Sequence, residues 1–340
     1  MRAVRYHGPG KPFRLEDVPV PQTGPGEVRV RIKAAGMCHT ELHFESGLLD
    51  LGVAPLTMGH EMAGEIDQVG EGVNSSRLGE RVLVYYYSGC GECGWCRRGD
   101  ENLCDALKAE YGFFNDGAYA EHIVVPARNA VPLPESLSFA EAAPVGCGVT
   151  TALHAIALSR LQEGEVAVVY GIGSVGYGLV QVARLRGARV VAVGRTQAKL
   201  DLARELGAHE IVNVAEGAGD LPARIRDLTG GRGADVVFEL VATRDTMEAS
   251  TAMLAKRGRL VFIGYSQDAF TVHPIHLVIH EAVVTASVGN TLKELKEALA
   301  LVGDGKARTV VDRSLPLEAW EEGMKALREG TALGRIVLTP

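Results

Sequence analysis

Near the middle of the 340-residue chain, a glycine-rich loop stands between a strand pattern and a helical pattern. Gly171, Gly173 and Gly176 have the spacing G-x-G-x-x-G, after an apolar run at 166–170 and before a helical pattern at 177–186. The first glycine permits a tight turn, the second lets a pyrophosphate approach the backbone, and the third allows close helix packing. The helix N-terminus adds amide donors. In a chain with 41 glycines the spacing alone is weak, but this placement favours dinucleotide binding over an ordinary glycine turn.

Short apolar strand patterns alternate with helical patterns around and after this loop. The strand patterns lie at 166–170, 189–193, 235–240 and 259–264, and the helical patterns at 177–186, 198–206 and 246–254. Strand and helix in alternation predict an α/β fold with a doubly wound parallel sheet. We expect this dinucleotide-binding domain to span residues 150–289.

The first 149 residues have a different, β-rich pattern. Period-two alternation predicts a half-buried strand at 27–33, and further short strands are predicted at 81–87 and 122–125. The last fifty residues predict helices at 292–301 and 317–329 and a final strand at 334–338. We expect a nested arrangement, in which residues 1–149 and 290–340 form one domain around the α/β unit.

Charge and apolar segments limit the possible partners. A formal net charge of −7 gives no basic surface for a nucleic-acid backbone, so we expect no nucleic-acid partner. No apolar stretch follows Arg2 and Arg5, so a secretory signal is not expected. Residues 166–183 are uncharged over nearly the length of a membrane span, but their four glycines fit a strand, a turn and a helix better. We therefore expect a cytoplasmic protein with no membrane partner.

Four of the six cysteines are clustered in the first domain. Cys90, Cys93, Cys96 and Cys104 have the spacing C-x2-C-x2-C-x7-C. In a reducing cytosol such a cluster indicates metal binding rather than disulfides. Four thiolates on a short loop close tetrahedrally around zinc and leave no position for a substrate, so we predict a structural zinc site. An iron–sulfur cluster, which also uses four thiolates, is the main alternative.

A second possible metal site is spread along the sequence. Catalytic zinc commonly has three protein ligands and an open fourth position, and Cys38, His60 and Cys147 would make a Cys2His set beside Glu61. Spacing alone does not show that such distant residues converge. Taken singly, Cys147 also suits a small core residue.

The position that discriminates between cofactors departs from the usual pattern. An acidic residue at the end of the second strand commonly bonds the adenosine ribose of NAD. Here the strand at 189–193 is followed by Gly194 and Arg195. A missing carboxylate removes repulsion of a 2′-phosphate, and Arg195 can pair with one, so the sequence slightly favours NADP. The alternative is that Arg195 is solvated and NAD binds.

Four stretches together resemble the medium-chain zinc-dependent alcohol dehydrogenases. They are GMCHTELH at 36–43, GHEMAG at 59–64, the four-cysteine loop and GCGVTT at 146–151. Gly70 and Val73 follow the second stretch at the distance that the family pattern has. The resemblance covers essentially the whole chain. It implies a GroES-like β-rich catalytic domain, a Rossmann cofactor domain and two zinc ions per chain, one catalytic and one structural.

The resemblance also assigns roles to residues around the catalytic metal. Cys38, His60 and Cys147 correspond to the zinc ligands, and Glu61 to a residue that lies beside the metal as an alternating or outer ligand. Glu41 would orient the ring of His60. By the same resemblance, the catalytic zinc acts as a Lewis acid on the alcohol oxygen while the cofactor carries the hydride.

Three further roles follow from the resemblance. Thr40 would accept the proton of the substrate hydroxyl, which passes through the nicotinamide ribose toward His43. Arg335 would contact the cofactor pyrophosphate. At least one of the three tyrosines at 85–87 is expected in the substrate pocket, which we expect to take apolar alcohols.

The leading hypothesis is reversible hydride transfer between a primary or secondary alcohol and NAD(P). A related polyol dehydrogenase, or a carbonyl reductase for a specialised metabolite, is the alternative. A third hypothesis is a noncatalytic protein that binds nucleotide and zinc. Thr40 and His43 weigh against it, because a protein that only binds these ligands does not need a proton relay. Family members of this length are commonly homodimers or homotetramers that pair through the last strand of the cofactor sheet, here at 283–288.

Overall fold

The chain builds two structural units, one of which consists of two separate stretches. The computed structural model describes residues 1–215 and 219–340. Unit 1 comprises Met1–Thr150 and Asn290–Pro340, and unit 2 comprises Thr151–Gly289. The second unit is therefore inserted within the sequence of the first.

The first stretch of unit 1 is made mainly of short strands. They are β1 (Arg2–Tyr6), β2 (Arg14–Asp17), β3 (Glu27–Met37), β4 (Leu56–Thr57), β5 (Glu61–Val69), β6 (Arg81–Val84), β7 (Tyr87–Ser88), β8 (Ala109–Glu110), β9 (His122–Pro126) and β10 (Ala130–Pro132). Strand β3 pairs antiparallel with both β5 and β9. It runs past the predicted end at residue 33, because Gly36 still pairs with Glu61 on β5.

The single strand predicted at 81–87 is wrong, because the chain leaves the sheet after β6 and only Tyr87 begins a new strand. Asn129 provides the physical reason. Its side-chain amide donates to the backbone carbonyl oxygens of Tyr85 and Tyr87, each at 2.7 Å, and its backbone carbonyl accepts from the backbone N–H of Tyr85 at 2.8 Å. Asn129, the buried last residue of a short 3-10 helix, thus replaces the strand partner.

Three helices lie among these strands, and a fourth begins at the end of this stretch and continues into unit 2. They are α1 (Thr40–Ser46), α2 (Gly94–Arg98), α3 (Phe139–Ala142) and α4 (Gly148–Ser159). By length and composition alone, the helical residues 139–159 could cross a membrane. In the structure, however, 89% of their most apolar part is buried inside the protein. A core helix has the same two properties.

Unit 2 contains a parallel sheet covered by helices. Its strands are β11 (Val166–Tyr170), β12 (Arg189–Gly194), β13 (Glu210–Asn213), β14 (Ala234–Glu239), β15 (Leu254–Phe262) and β16 (Val283–Ala286), and its helices are α5 (Ser174–Leu185), α6 (Gln197–Glu205), α7 (Leu221–Leu228), α8 (Arg244–Ala252) and α9 (Pro274–His280). The strand order β13-β12-β11-β14-β15-β16 confirms the doubly wound prediction. The direction in which successive strands are added reverses at β11. In open α/β sheets, ligands bind beyond the carboxyl ends of the strands at such a reversal.

The segment at 166–183 is the strand, turn and helix that the sequence predicts. Val168, Val191, Val237 and Leu260, from four neighbouring strands, are completely buried in the core of unit 2. Helix α5 begins three residues earlier than predicted, because Gly173 is already its N-cap.

The chain then returns to unit 1 with α10 (Leu292–Gly303), β17 (Val311–Pro316), α11 (Trp320–Glu329) and β18 (Arg335–Thr339). Helix α11 starts later than the predicted residue 317, because Leu317–Ala319 forms a 3-10 turn first. Strand β18 pairs antiparallel with β3, and Ile336 lies opposite Met37. This pairing brings Arg335, 298 residues away in sequence, to the end of β3.

Candidate active site

Four potential metal ligands that are distant in sequence converge in unit 1. One ligand atom each of Cys38, His60, Glu61 and Cys147 lies within 4.8 Å of the others. Cys38 follows the end of β3, His60 and Glu61 lead into β5, and Cys147 stands between a 3-10 turn and α4. The β3–β5 pairing is therefore what holds the first three together.

A glycine makes this pairing possible. Gly36 lies directly opposite Glu61, and a Cβ at position 36 would overlap the Glu61 carboxylate. Gly59, with φ of 94°, turns the chain immediately before His60 and would meet the ring of Tyr119 if it carried a side chain. The lack of a side chain at Gly36 and Gly59 therefore explains why a glycine stands shortly before Cys38 and directly before His60.

The protonation of the two thiols fits a metal-binding donor set. The hydrogen bond from Cys147 holds the pKa of Cys38 well below its usual range, and burial opposes this effect. The same hydrogen bond and burial raise the pKa of Cys147 well above its usual range. The Cys38 thiolate thus accepts a hydrogen bond from the Cys147 thiol, and a cation between the two sulfurs would replace that proton.

Glu41 connects the cluster to helix α1. Its carboxylate accepts the backbone N–H of Cys38 at 2.7 Å, and its other oxygen lies 3.8 Å from Nδ1 of His60. Burial lowers the pKa of His60, but the hydrogen bond to Cys38 and the nearby negative charges outweigh it and raise the pKa to about 9. Among the described residues, neither Nδ1 of His60 nor Oε1 of Glu41 has a hydrogen-bond partner. The placement of Glu41 suits a residue that orients the His60 ring.

Arg335 lies in this cluster and not at the protein surface. Its Nη2 is 2.7 Å from Oε1 of Glu61, and its Nη1 donates to the carbonyl oxygen of Met37 at 3.1 Å. The side chains of Arg335 and Glu61 are 7% and 0% exposed. Burial raises the pKa of Glu61 to about 7, although Arg335 opposes the shift. The contact with Glu61 was not anticipated from the sequence, and the pyrophosphate contact stays a prediction.

The two residues of the expected proton relay lie one turn apart on α1. Thr40 is the first residue of the helix, and its hydroxyl lies 3.5 Å from the sulfur of Cys38. The half-buried ring of His43 packs edge-on against His39, with ring centroids 5.1 Å apart. Burial and the charge of His39 lower the pKa of His43, which keeps it neutral at pH 7. Thr40 is thus adjacent to a metal ligand, as the relay requires.

The clustered cysteines form the second candidate metal centre. Zinc–sulfur bonds of about 2.3 Å in tetrahedral geometry place sulfurs about 3.8 Å apart. The Cys90–Cys96 and Cys93–Cys104 sulfurs are 3.9 and 3.8 Å apart. The backbone N–H of Cys96 lowers the pKa of Cys93 to about 6, which favours the thiolate that a metal needs. The four residues are all free thiols with the separation that one ion requires.

A buried carboxylate anchors this loop to unit 1. Glu101 accepts the backbone N–H of Gly89 at 2.9 Å and two guanidinium N–H groups of Arg128 at 3.0 and 2.8 Å. A Cβ on Gly89 would lie 2.6 Å from the sulfur of Cys96. The loop therefore packs closely against the residue that precedes it.

In unit 2, the glycine loop joins β11 to α5. Gly171 has φ of 110°, and a Cβ on Gly176 would overlap its carbonyl oxygen. At Gly173, by contrast, the described residues other than its chain neighbours leave open the space that a side chain would fill, so the helix N-terminus is accessible to a ligand. At the end of β12, a Cβ on Gly194 would make ordinary contacts, and the side chain of Arg195 is exposed. The loop has the geometry of a pyrophosphate cradle.

Aromatic rings surround His60. Tyr86 packs edge-on against the His60 ring with centroids 5.4 Å apart, and Phe113 lies 5.1 Å from the same ring. Tyr86 is thus the member of the tyrosine run that reaches the metal cluster, whereas the hydroxyl of Tyr85 donates to the carbonyl oxygen of Asn290 at 2.8 Å. Sequence reasoning missed Phe113, which carries no pattern signal because it lies in a turn.

Comparison with known proteins identifies the family. Residues 24–135 match the alcohol dehydrogenase GroES-like domain, and residues 174–304 match the zinc-binding dehydrogenase domain. The chain belongs to the zinc-dependent alcohol dehydrogenases. The predicted combination of a GroES-like catalytic domain and a Rossmann domain is confirmed.

Whole-chain relatives agree with this family. An alcohol dehydrogenase of Geobacillus stearothermophilus is 36% identical over 332 residues, 96% of each chain. An NAD-dependent alcohol dehydrogenase of Sulfurisphaera tokodaii is 33% identical over the full length of both chains. The structure of an alcohol dehydrogenase from Aeropyrum pernix superposes with a TM-score of 0.93 at 32% identity and full coverage of both chains. The protein is therefore an oxidoreductase, an alcohol dehydrogenase with a small-molecule substrate.

Proposed function

We propose that this alcohol dehydrogenase transfers hydride reversibly between a primary or secondary alcohol and a nicotinamide cofactor, with zinc held by Cys38, His60 and Cys147. The convergence of two sulfurs and an imidazole beside Glu61 carries the proposal. Two cysteine side chains that share a hydrogen bond, with the imidazole of His60 beside them, fit a cation at this place.

Zinc, when bound, supplies a Lewis acid to the oxygen of the alcohol or carbonyl. The residues of the chain supply the rest of the site. Glu41 orients His60, and Arg335 balances the charge of Glu61 within the buried cluster. Phe113 and the ring of Tyr86 exclude water from the side of His60 that they cover.

The hydroxyl of Thr40 accepts the proton of the substrate hydroxyl, and His43 passes it on. Thr40 is next to the ligand Cys38, and His43 lies on the same helix face three residues later. A neutral imidazole is the form that accepts a proton, and burial of His43 favours that form.

The cofactor binds at the loop of Gly171, Gly173 and Gly176. Relatives named as NAD-dependent support a nicotinamide cofactor. Gly194 provides no carboxylate to repel a 2′-phosphate, and the exposed Arg195 can pair with one, so we propose a slight preference for NADP. The ratio of kcat/KM for NADP to that for NAD measures it, and a clear NAD preference contradicts it.

The four-cysteine loop holds a second, structural zinc, and the sulfur separations support this assignment. The decisive experiment combines metal analysis with an NADH and NADPH assay over a panel of alcohols, aldehydes and ketones. Two zinc ions per chain and oxidation of alcohols are expected. One zinc per chain, held by the clustered cysteines alone, contradicts the proposed mechanism.

The protein forms homodimers or homotetramers through the edge of the parallel sheet. Strand β16 pairs with β15 on one side, and Val283, Val284 and Val288 are 50%, 38% and 54% exposed. Exposed apolar edge strands pair readily with a second copy. Light scattering coupled to size-exclusion chromatography tests this assembly, and a monomer at micromolar concentration contradicts it. The cytoplasmic location stays a prediction.

A further inference from the structure

The pairing of β3 with β5 does not fix the position of Cys147, the fourth residue of the metal cluster. Cys147 follows the 3-10 turn Ala143–Gly146, whose four residues are all buried. This turn packs on β5, because a Cβ built on Gly146 would lie 4.0 Å from the Cα of Glu61. The placement of Gly146 therefore decides how closely the Cys147 sulfur approaches the ligands at the start of β5.

A side chain from the second stretch of unit 1 reaches this turn. Asn290 is the first residue of that stretch, and it is completely buried. Its side-chain amide donates to the carbonyl oxygen of Gly146 at 3.4 Å. The hydroxyl of Tyr85 donates to the backbone carbonyl oxygen of the same asparagine at 2.8 Å. Asn290 thus connects the turn before Cys147 with the tyrosine run.

The backbone that carries Asn290 is fixed on both sides. Gly289, with φ of 58°, turns the chain directly before it. Thr291, directly after it, is the N-cap of α10 and forms a capping box with Glu294. In this box the Thr291 N–H donates to the Glu294 carboxylate at 2.8 Å, and the Thr291 hydroxyl accepts from the Glu294 N–H at 3.2 Å. The amide of Asn290 therefore extends from a defined backbone position.

The hydrogen bond from Asn290 differs from the local bonds around Cys147. The Cys147 N–H donates to the carbonyl oxygen of Pro144 at 3.4 Å, and the hydroxyl of Thr150 donates to the carbonyl oxygen of Cys147 at 3.2 Å. Each of these bonds joins residues three positions apart, so it shapes the turn without setting its distance from β5. The Asn290 bond spans 144 positions and restrains the turn as a whole. Because both partners are buried, breaking it would leave the Gly146 carbonyl without this donor and without access to water.

We propose that Asn290 is a positioning residue for Cys147, and that its side-chain amide holds the turn at the distance from β5 at which the Cys147 sulfur completes the catalytic zinc site. This inference rests on the zinc ligands of the proposed function. Loss of a group that orients a metal ligand typically lowers metal affinity about 10- to 100-fold. Asn290 acts through the peptide before the ligand, so we expect the lower end of that range.

The test measures zinc affinity in the protein loaded with two zinc ions per chain. Asn290→Ala removes the amide but keeps the backbone carbonyl that accepts from Tyr85, so only the bond to the turn is lost. Competition with a chromophoric chelator gives the affinity for each ion, and Cys38→Ser, which removes a catalytic ligand, identifies which ion is which. In N290A the catalytic zinc should bind about tenfold more weakly, and the zinc of the four-cysteine loop should be unchanged. The ratio of the two occupancies cancels the folded fraction.

Cobalt(II) in place of the catalytic zinc reports the geometry directly, because its visible absorption depends on the arrangement of its ligands. N290A should shift these bands. Asn290→Ser keeps a shorter donor, so it should lose less affinity than N290A, and it provides the same comparison if N290A does not fold. Ser136→Ala is the matched control, because its hydroxyl also joins the two stretches of unit 1, donating to the carbonyl oxygen of Gly303 at 3.3 Å at an exposed position. Both affinities and the cobalt bands of S136A should equal those of the wild type.

The possible outcomes separate this inference from the proposed function. Selective weakening of the catalytic ion together with shifted cobalt bands supports the role of Asn290. Equal affinities in the variant and the wild type, an equal loss at both metal sites, or unchanged cobalt bands overturn it and leave the proposed alcohol oxidation intact. If the wild type binds a single zinc ion, at the four-cysteine loop, the proposed catalytic site fails, and this inference fails with it.

Discussion

Replacing Arg335 by Met should destabilise the metal-free protein strongly and the zinc-loaded protein much less. The guanidinium of Arg335 is the cation in ion-pair contact with the completely buried Glu61 carboxylate. Removing one partner of a buried pair costs about 3–5 kcal/mol, because the other charge is left without compensation. The carbonyl oxygen of Met37 also loses a donor, which costs about 1 kcal/mol and overlaps with the first loss.

The loss of stability caused by Arg335→Met should depend on pH, and the burial of Glu61 determines the direction. With Arg335 present, burial already raises the pKa of Glu61 to about 7, and losing the guanidinium raises it further. A carboxyl group whose pKa is raised in the folded state stabilises the fold at low pH and loses this effect as the pH rises through that pKa. The deficit of Arg335→Met should therefore grow between pH 6 and pH 9.

Urea unfolding followed by circular dichroism measures this deficit, provided that the slope m is the same in both proteins. Bound zinc supplies positive charge next to Glu61, so the deficit should shrink in the loaded protein. Arg313→Met is the matched control. Arg313 and its partner Glu322 are 41% and 58% exposed, and such exposed ion pairs contribute about 1 kcal/mol or less. A deficit of Arg335→Met below about 1 kcal/mol with and without zinc would refute the role of Arg335 as the buried counter-ion.

Three further predictions concern other parts of the chain. Cys93→Ser should lower Tm, because a closed zinc site contributes folding energy. Cys38→Ser should abolish turnover and keep most of the fold. An unchanged Tm in Cys93→Ser contradicts this division of roles between the two sites. His43→Gln should slow alcohol oxidation more at pH 7 than at pH 10, where hydroxide replaces the relay, and an equal loss at both pH values would exclude it. Glu165→Gln should cost about 1 kcal/mol at pH 7, because the ion pair with Arg259 lowers the pKa of Glu165 against the effect of its burial. This stability is present above the unfolded pKa of about 4.3 and is lost as the pH falls through the lower folded value, so the stabilities of the two proteins should converge in acid.

The sequence was informative where a local pattern has one physical explanation. The spacing of Cys90, Cys93, Cys96 and Cys104 limits a loop to a geometry in which the sulfurs meet, and their observed separations are those of a tetrahedral ion. The alternation of strands and helices predicted the parallel sheet of unit 2 for the same reason, since every connection is local. Ligand chemistry named Cys38, His60 and Cys147 as a possible set, but only the family resemblance assigned them to one zinc ion, because their convergence depends on strand pairing.

The remaining features depend on contacts that no local pattern records. Asn290 precedes α10 without a pattern signal of its own, and only the fold brings its amide to the carbonyl oxygen of Gly146, 144 positions away. Arg335 follows an ordinary glycine at the start of the last strand, and the register of β18 against β3 decides that its side chain enters the metal cluster. The break in the strand between Val84 and Tyr87 likewise depends on Asn129, the last residue of a 3-10 helix more than forty positions away.

Charge balance explains why this metal cluster needs its arginine. Cys38 and Cys147 as thiolates and Glu61 as a carboxylate carry three negative charges, and His60 is neutral when it binds a metal. Zinc would bring two positive charges and Arg335 carries one, which match these three, while the completely buried Glu41, 3.8 Å from Nδ1 of His60, adds a further carboxyl group whose pKa burial raises to about 8. Without the ion, protons compensate instead: Cys147 keeps its proton, the pKa of Glu61 rises to about 7 and that of His60 to about 9. Bound zinc would displace these protons, whereas Arg335, among the described residues of the cluster, keeps its positive charge whatever the occupancy and the pH.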